Sequence, residues 1–140
     1  MDPPGMEPAV ITLDTSGLLA LIDGRDPAHA DVRAVLAGDR GPYRVPAATL
    51  AETSYFVGRR FGQGKLTLFL DDLVTGAWTY DCGDRDLRRV RELVGRYADL
   101  PLGAADAAVV ACAERNGGRV LTVDRDFGVV AGEGTITVLP

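Results

Sequence analysis

The chain predicts an α/β protein, a three-layer α/β/α sandwich built on a mostly parallel central sheet of about five strands. Three observations lead there. Short apolar, β-branched runs alternate with stretches of helical period along the whole chain, the pattern of strand–helix units feeding a parallel sheet. With 140 residues, 46% hydrophobic and 25% charged, the chain has the size and proportions of one globular domain. A domain of this length buries roughly 68–70% of its unfolded surface, enough for a core without staples.

Residues 1–8, Met1-Asp2-Pro3-Pro4-Gly5-Met6-Glu7-Pro8, are polar and proline-rich. They are expected to form a frayed lead, with Met6 a second candidate start, ahead of a single domain over 9–140. Val10-Ile11-Thr12-Leu13 reads as a buried strand ended by Asp14-Thr15-Ser16-Gly17. The apolar Leu18-Leu19-Ala20-Leu21-Ile22 that follows reads as a short buried helix stopping at Gly24. Asp26 and Pro27 are an N-cap and first-turn proline for a helix with Ala28, Val32, Val35 and Leu36 inward and Gly38 at its end. Tyr43-Arg44-Val45 is a strand, and Pro46 opens a helix running to about Val57. Leu66, Phe69, Leu70 and Leu73 recur at helical spacing, and Ala77-Trp78-Thr79-Tyr80 is a brief strand.

Leu87, Val90, Val94 and Tyr97 mark the inner face of a further helix, and Gly103 to about Glu114 is an alanine-rich one. Asn116-Gly117-Gly118 breaks it. Arg119-Val120-Leu121-Thr122-Val123 is the clearest strand, and Thr135-Ile136-Thr137-Val138-Leu139 closes the sheet. No apolar run reaches the ~18 residues that span a bilayer, and no basic start precedes a hydrophobic stretch. The expectation is a cytoplasmic protein without a membrane segment, its Cys82 and Cys112 reduced.

Composition removes several chemistries. A single histidine, His29, excludes an imidazole pair within one subunit, and no motif supports a serine–histidine triad. Close-spaced His and Cys ligands for zinc are missing. The one lysine, Lys65, lies in no phosphate-binding GxxxxGK[ST] loop. Aspartate is abundant instead, fifteen of the twenty acidic residues, so the available chemistry is that of carboxylates. The net charge of −5 disfavours nucleic acid on average, but fourteen of the fifteen basic residues are arginines. Five of these, Arg85, Arg88, Arg89, Arg91 and Arg96, share one short segment. Two readings apply to that segment: a solvated outer helix face, or an RNA-backbone contact through Arg85, Arg88 and Arg89.

In a parallel α/β sheet, ligands bind beyond the carboxyl ends of the strands. Asp14 directly follows the first strand, Asp124 and Asp126 follow the strand ending at Val123, and Asp106 falls in the first turn of the alanine-rich helix. Glu52, about two turns into the helix begun at Pro46, joins them if that helix crosses beneath the same edge. Each has a purely structural alternative. Asp14 caps the following helix, and Asp106 complements a helix dipole. Glu52 forms a capping box with Thr49, and Asp124 and Asp126 belong to a turn. Together they are harder to explain so, because carboxylates within ~4–6 Å of one another stay ionised only beside a positive charge. Hard oxygen ligands suit Mg²⁺ or Mn²⁺.

The segments Asp14-Thr15-Ser16-Gly17-Leu18-Leu19-Ala20-Leu21, Pro46-Ala47-Ala48-Thr49-Leu50-Ala51-Glu52, Asp106-Ala107-Ala108-Val109-Val110-Ala111 and Leu121-Thr122-Val123-Asp124-Arg125-Asp126-Phe127 together resemble the PIN-domain ribonucleases. More narrowly, the chain is similar to VapC-type toxins of toxin–antitoxin pairs, from Val10 to its end. The resemblance implies an endoribonuclease dependent on Mg²⁺ or Mn²⁺ in which metal-activated water attacks an RNA phosphodiester. Asp14 and Asp106 match the metal ligands, Glu52 and Asp124 further acidic positions of the site, and Asp126 shares or replaces the role of Asp124. Ser16 and Thr122 match hydroxyls that orient a carboxylate or a metal-bound water. The family also implies a homodimer neutralised by a small VapB-like antitoxin. Competing readings are a haloacid-dehalogenase-like phosphatase or a phospho-receiver, both poorly served by Ser16 and Lys65, and a catalytically silent binding module on the same fold.

Overall fold

Five strands lie side by side in one all-parallel sheet in the computed structural model, which describes residues 10–140. The lead expected over residues 1–8 lies outside the described residues. The chain runs β1 (Ile11–Leu13), α1 (Thr15–Ile22), α2 (His29–Gly38), β2 (Tyr43–Pro46), a 3-10 turn (Ala47–Thr49), α3 (Leu50–Phe61) and α4 (Gln63–Thr75). It continues through β3 (Thr79–Asp81), α5 (Leu87–Arg96), α6 (Ala104–Arg115), β4 (Arg119–Leu121), α7 (Asp126–Ala131) and β5 (Thr137–Leu139). The strand order is β3-β2-β1-β4-β5. The chain therefore builds outward from β1 on one side, then crosses back to lay β4 on the other. That reversal opens a crevice between the carboxyl ends of β1 and β4.

Ile11, Thr12 and Leu13 are all fully buried, as befits a central parallel strand covered on both faces. Alternation along β4 divides the core into two. Leu121 joins Ile11, Leu13, Leu18, Val32, Val45 and Phe69 on one face. Val120 joins Val109, Val110, Phe127, Val130 and Leu93 on the other. The register pairs Thr12 with Val120, so Thr12 points toward α6, where its hydroxyl meets the Cys112 thiol at 3.9 Å.

The expected sandwich and its strand positions are present, with local differences. The helix expected from Pro27 begins two residues later, at His29, after a turn in which Asp26 accepts the Ala28 N–H at 2.8 Å on its side chain and the His29 N–H at 3.0 Å on its carbonyl. The helix expected from Pro46 begins as a 3-10 turn and becomes α-helical only at Leu50. On α5 the buried residue is Leu93, flanked by partly buried Val90, Val94 and Tyr97, whereas Leu87 is 76% exposed. The stripe 90, 93, 94, 97 has the i, i+3, i+4, i+7 spacing of a core-facing helix, and Leu87 lies beyond its end. The short helix α7, which follows the turn expected at Asp124-Arg125-Asp126, is an element the sequence reading does not include. Its signal is the pair Phe127 and Val130, both fully buried.

Gly17 controls how α1 seats against β4. A Cβ there would stand 2.5 Å from the Leu121 carbonyl oxygen, the same oxygen that accepts the Asp14 N–H at 3.1 Å. Backbone on both sides leaves no flexible group to yield. Gly17→Ala is expected to lower stability by about 1–3 kcal/mol, read as a reduced urea midpoint. An unchanged midpoint would show that α1 can shift without cost.

Candidate active site

The crevice between β1 and β4 is organised around Asp14. It follows β1 as the N-cap of α1, with extended backbone (φ −85°, ψ 156°), and its Oδ2 accepts the Ser16 N–H at 3.3 Å. The same oxygen accepts the Ser16 hydroxyl at 2.6 Å and the Thr122 hydroxyl at 2.9 Å. Each hydroxyl in turn accepts a backbone N–H from the segment after β4, Val123 onto Ser16 and Asp124 onto Thr122, both at 3.0 Å. A hydroxyl has one proton. With both protons directed at Asp14, the 3.0 Å approach of Ser16 Oγ to Thr122 Oγ1 follows from a shared acceptor and is no third bond. The cap and metal-ligand readings of Asp14 are thus compatible, since these three bonds fall on Oδ2 and none on Oδ1.

Asp14 is only 4% exposed, and burial raises its pKa despite the opposing hydrogen bonds. Asp106, in the first turn of α6, is half-buried and pushed up to about 6, first by burial and then by the charges of Asp14, Asp124, Glu52 and Asp126. All five predicted acidic residues therefore act on one locus. The Asp124 carboxylate also accepts the Asp126 N–H at 2.9 Å, so the expected turn forms and presents both side chains half-buried.

Glu52 arrives in the first turn of α3, not two turns in. The capping box with Thr49 does not form: Thr49 is the N-cap but makes no side-chain cap bond, and its hydroxyl donates to the Pro46 carbonyl at 2.9 Å. Beside Glu52, Thr53 meets Thr15 in a buried hydroxyl pair at 2.9 Å, which pins α3 against α1 directly after Asp14. Sequence reasoning missed this pair, because two threonines 38 residues apart carry no local period. It also missed Arg115, which bridges Asp81 (2.7 Å) and Asp86 (2.6 Å) at the neighbouring carboxyl end of β3.

No ion pair among the described residues involves Asp14, Glu52, Asp106, Asp124 or Asp126. Nor, among the described residues, do three His, Cys, Asp or Glu side chains already stand closed as a metal-holding group. Like charges without a counter-ion stay apart, while remaining near enough to raise Asp106. The donors are carboxylate and hydroxyl oxygens, which fit a hard divalent cation. Two softer ligands are committed elsewhere: His29 Nδ1 bonds the Ala20 carbonyl oxygen at 2.9 Å, and the buried Cys112 thiol is pushed up to about 11 by burial.

The arginines of α5 divide. Arg89 grips Glu114 through two 2.8 Å bonds and reaches Glu133 (3.2 Å) and Glu92 (3.0 Å). Its guanidinium is held within an ion-pair network that also takes in Arg96, so the grouping of Arg89 with Arg85 and Arg88 as outward-facing cations does not hold. Arg85 and Arg88 are exposed.

The PIN-domain family model matches residues 11–133. The chain is 35% identical over 133 residues to Ribonuclease VapC26 of Mycobacterium tuberculosis, spanning 91% of this chain and 98% of that protein. The crystal structure of Mycobacterium tuberculosis VapC20, described as a Sarcin-Ricin loop cleaving toxin, superposes with a TM-score of 0.78 at 22% identity, over 93% of this chain and 99% of that one. A toxin–antitoxin complex from Klebsiella pneumoniae superposes with a TM-score of 0.68 at 18% identity, over 93% and 96% respectively. The two structural likenesses bear on the fold.

The raised carboxylates set a pH dependence. Asp106 binds its proton more tightly folded (about 6) than unfolded (3.8). Between those values the native state holds more protons, so stability falls as pH rises from about 4 to about 6. Asp14 acts in the same direction. In EDTA at pH 7, Asp106→Asn is expected to raise stability by about 1 kcal/mol after allowing for solvent screening at a half-buried site, with a flatter profile over pH 4–6. A thermal midpoint at or below that of the parent would contradict charge repulsion at this site.

Proposed function

The chain belongs to the PIN-domain family, and on that premise we propose that it is a VapC-type endoribonuclease, the toxin of a type II toxin–antitoxin pair. The observation that carries the reading is the uncompensated set of carboxylates meeting at Asp106, in the crevice where β1 and β4 diverge. Asp14 and Asp106 would hold Mg²⁺ or Mn²⁺, joined by Glu52, Asp124 and Asp126. A divalent ion so held supplies Lewis acidity, lowering the pKa of a bound water and neutralising charge that develops on the scissile phosphate.

The protein's own part is positioning and proton transfer. Ser16 and Thr122 fix the rotamer of Asp14 by donating to Oδ2. The Thr15–Thr53 pair carries Glu52 to the edge of the site. Glu52 or Asp124 accepts the proton of the attacking water, the 3′-oxygen leaves in line and takes a proton from solvent, and the ends are 5′-phosphate and 3′-hydroxyl. RNA is the substrate, a VapB-like antitoxin the neutralising partner, and a homodimer the working form, in the cytoplasm. Among the described residues no helix is long and apolar enough to cross a membrane. A dehalogenase-like phosphatase has little support, since its second acid would stand at Ser16, whose hydroxyl is bonded to Asp14.

Incubation with total RNA is expected to yield discrete cuts with Mn²⁺ or Mg²⁺ and none in EDTA. Asp14→Asn and Asp106→Asn should each lower the rate by about 10²-fold or more. Thr122→Val should lower kcat about tenfold while leaving KM nearly unchanged. Cleavage by Asp14→Asn at the parental rate would remove Asp14 from the mechanism. Ends carrying 2′,3′-cyclic phosphate would exclude water as nucleophile, and the absence of any metal-dependent cut would favour a silent binding module.

A further inference from the structure

Beside the carboxylates lies a hollow of about 330 Å³ lined by Pro46 and Ala48, by Leu87 and Val90 of α5, and by Ala105 and Ala108 of α6. Its position ties it to the site already described. Ala105 immediately precedes Asp106, and Ala48 lies four residues before Glu52. Those walls are aliphatic, Asp86 and Cys112 complete the lining, and Leu87 stands at the rim with three-quarters of its surface in solvent. Asp81, Cys82 and Gly83 form a partition whose other side bounds a second hollow, also about 330 Å³, walled by Arg44, Arg85 and Arg115 and by Asp84. Arg44 bonds Asp81 through Nη1 at 3.2 Å, while its buried Nε has no hydrogen-bond partner among the described residues. Arg115 is held by Asp81 and Asp86, and Arg85 is exposed.

Moving outward from the carboxylates, the surface thus offers an apolar slot and then one of mixed charge, in which Asp81 engages Arg44 and Arg115 while Arg85 is exposed. Single-stranded RNA has the same sequence of chemistries, a flat weakly polar base next to a phosphate. Unpaired bases splayed from the chain are what RNA-binding proteins enclose, and aliphatic walls gain by covering the weakly polar face of a base. We infer that the hollow between the first turn of α5 and the face of α6 that carries Ala105, Ala108 and Cys112 seats one unpaired base of the RNA beside the cleaved bond, and that Arg85 in the second hollow receives the phosphate that follows. The assignment rests on the ribonuclease reading and adds to it a subsite. Leu87 and Val90 act there as specificity-determining contacts and Arg85 as the outer phosphate contact.

The probes are two labelled single-stranded RNA hexamers, one with bases and one whose sugars carry none, binding the intact chain in EDTA and followed by fluorescence anisotropy. The base-bearing hexamer is expected to bind about tenfold tighter, from the apolar base surface that the hollow covers. Leu87→Asp, at an exposed position, and Ala104→Phe, which fills the hollow from its exposed rim, should each bring that ratio toward one. Arg85→Gln should weaken both hexamers alike and reduce the salt slope by about 0.7. A ratio unchanged in both filling and charging variants would overturn the subsite. So would light scattering that shows Leu87→Asp converting a dimer to a monomer, since the hollow would then belong to a second copy. Cleavage of total RNA by the parent, measured alongside, separates the two ideas: cutting with an unchanged ratio removes only the subsite, and base-dependent binding without cutting removes only the ribonuclease reading.

Discussion

Two hydroxyl protons hold the crevice of this protein together. Ser16, just inside α1, and Thr122, just past β4, both donate to one oxygen of Asp14, and both accept backbone N–H groups from the segment that carries Asp124. A carboxylate so deeply buried would otherwise cost several kcal/mol. Hydrogen bonds to a charged group return about 1.5–3 kcal/mol each, yet the acidity of Asp14 still shifts upward, so burial wins over the bonds. The site keeps an anion that its own surroundings stabilise only in part. Any ligand that binds the native state alone adds stability, and a cation is the ligand for which such a site is prepared.

Two groups of acidic residues stand out in the fold. Asp81, Asp86, Glu114 and Glu133 are matched by Arg44, Arg115, Arg89 and Arg96. These pairs lock β3 to α6, and α5 to α6 and to the turn before β5. Asp14, Glu52, Asp106, Asp124 and Asp126 have no such partner among the described residues. The contrast is chemical as well as geometric: the Glu133 carboxyl is pulled down to about 2 by Tyr97 and Arg96, whereas Asp106 is pushed up to about 6. One population rigidifies the scaffold, and the other concentrates negative potential at the sheet edge.

Rigidity near that edge comes from close backbone approach. Gly17 lets α1 lie on the Leu121 carbonyl, and the Asp14 N–H donates to the same oxygen. The buried Thr15–Thr53 contact then transmits the position of α1 to α3 and hence to Glu52. Small residues and short polar side chains therefore set the spacing of the carboxylates more than the large apolar side chains do.

Much of this was legible in the sequence. The five strands, their alternation with helices, the acid directly after β1 and the acids a few residues past β4 follow from local patterns, because in a parallel sheet every strand ends at the same edge and delivers the residues that follow there. The place of Asp106 in a first helical turn was equally local. Other features required the folded chain. That α5 buries Leu93 and leaves Leu87 in solvent depends on where α6 ends beneath it. That Arg89 is held by Glu114 and Glu133, while Arg85 is not, depends on side chains 25 and 44 residues away. That Glu52 reaches the crevice depends on how α3 packs against α1. Strand ends and helix turns are determined by neighbours in the chain, so sequence alone determined them. Which helix face meets which partner is set by packing between remote segments, so only the tertiary structure decided it.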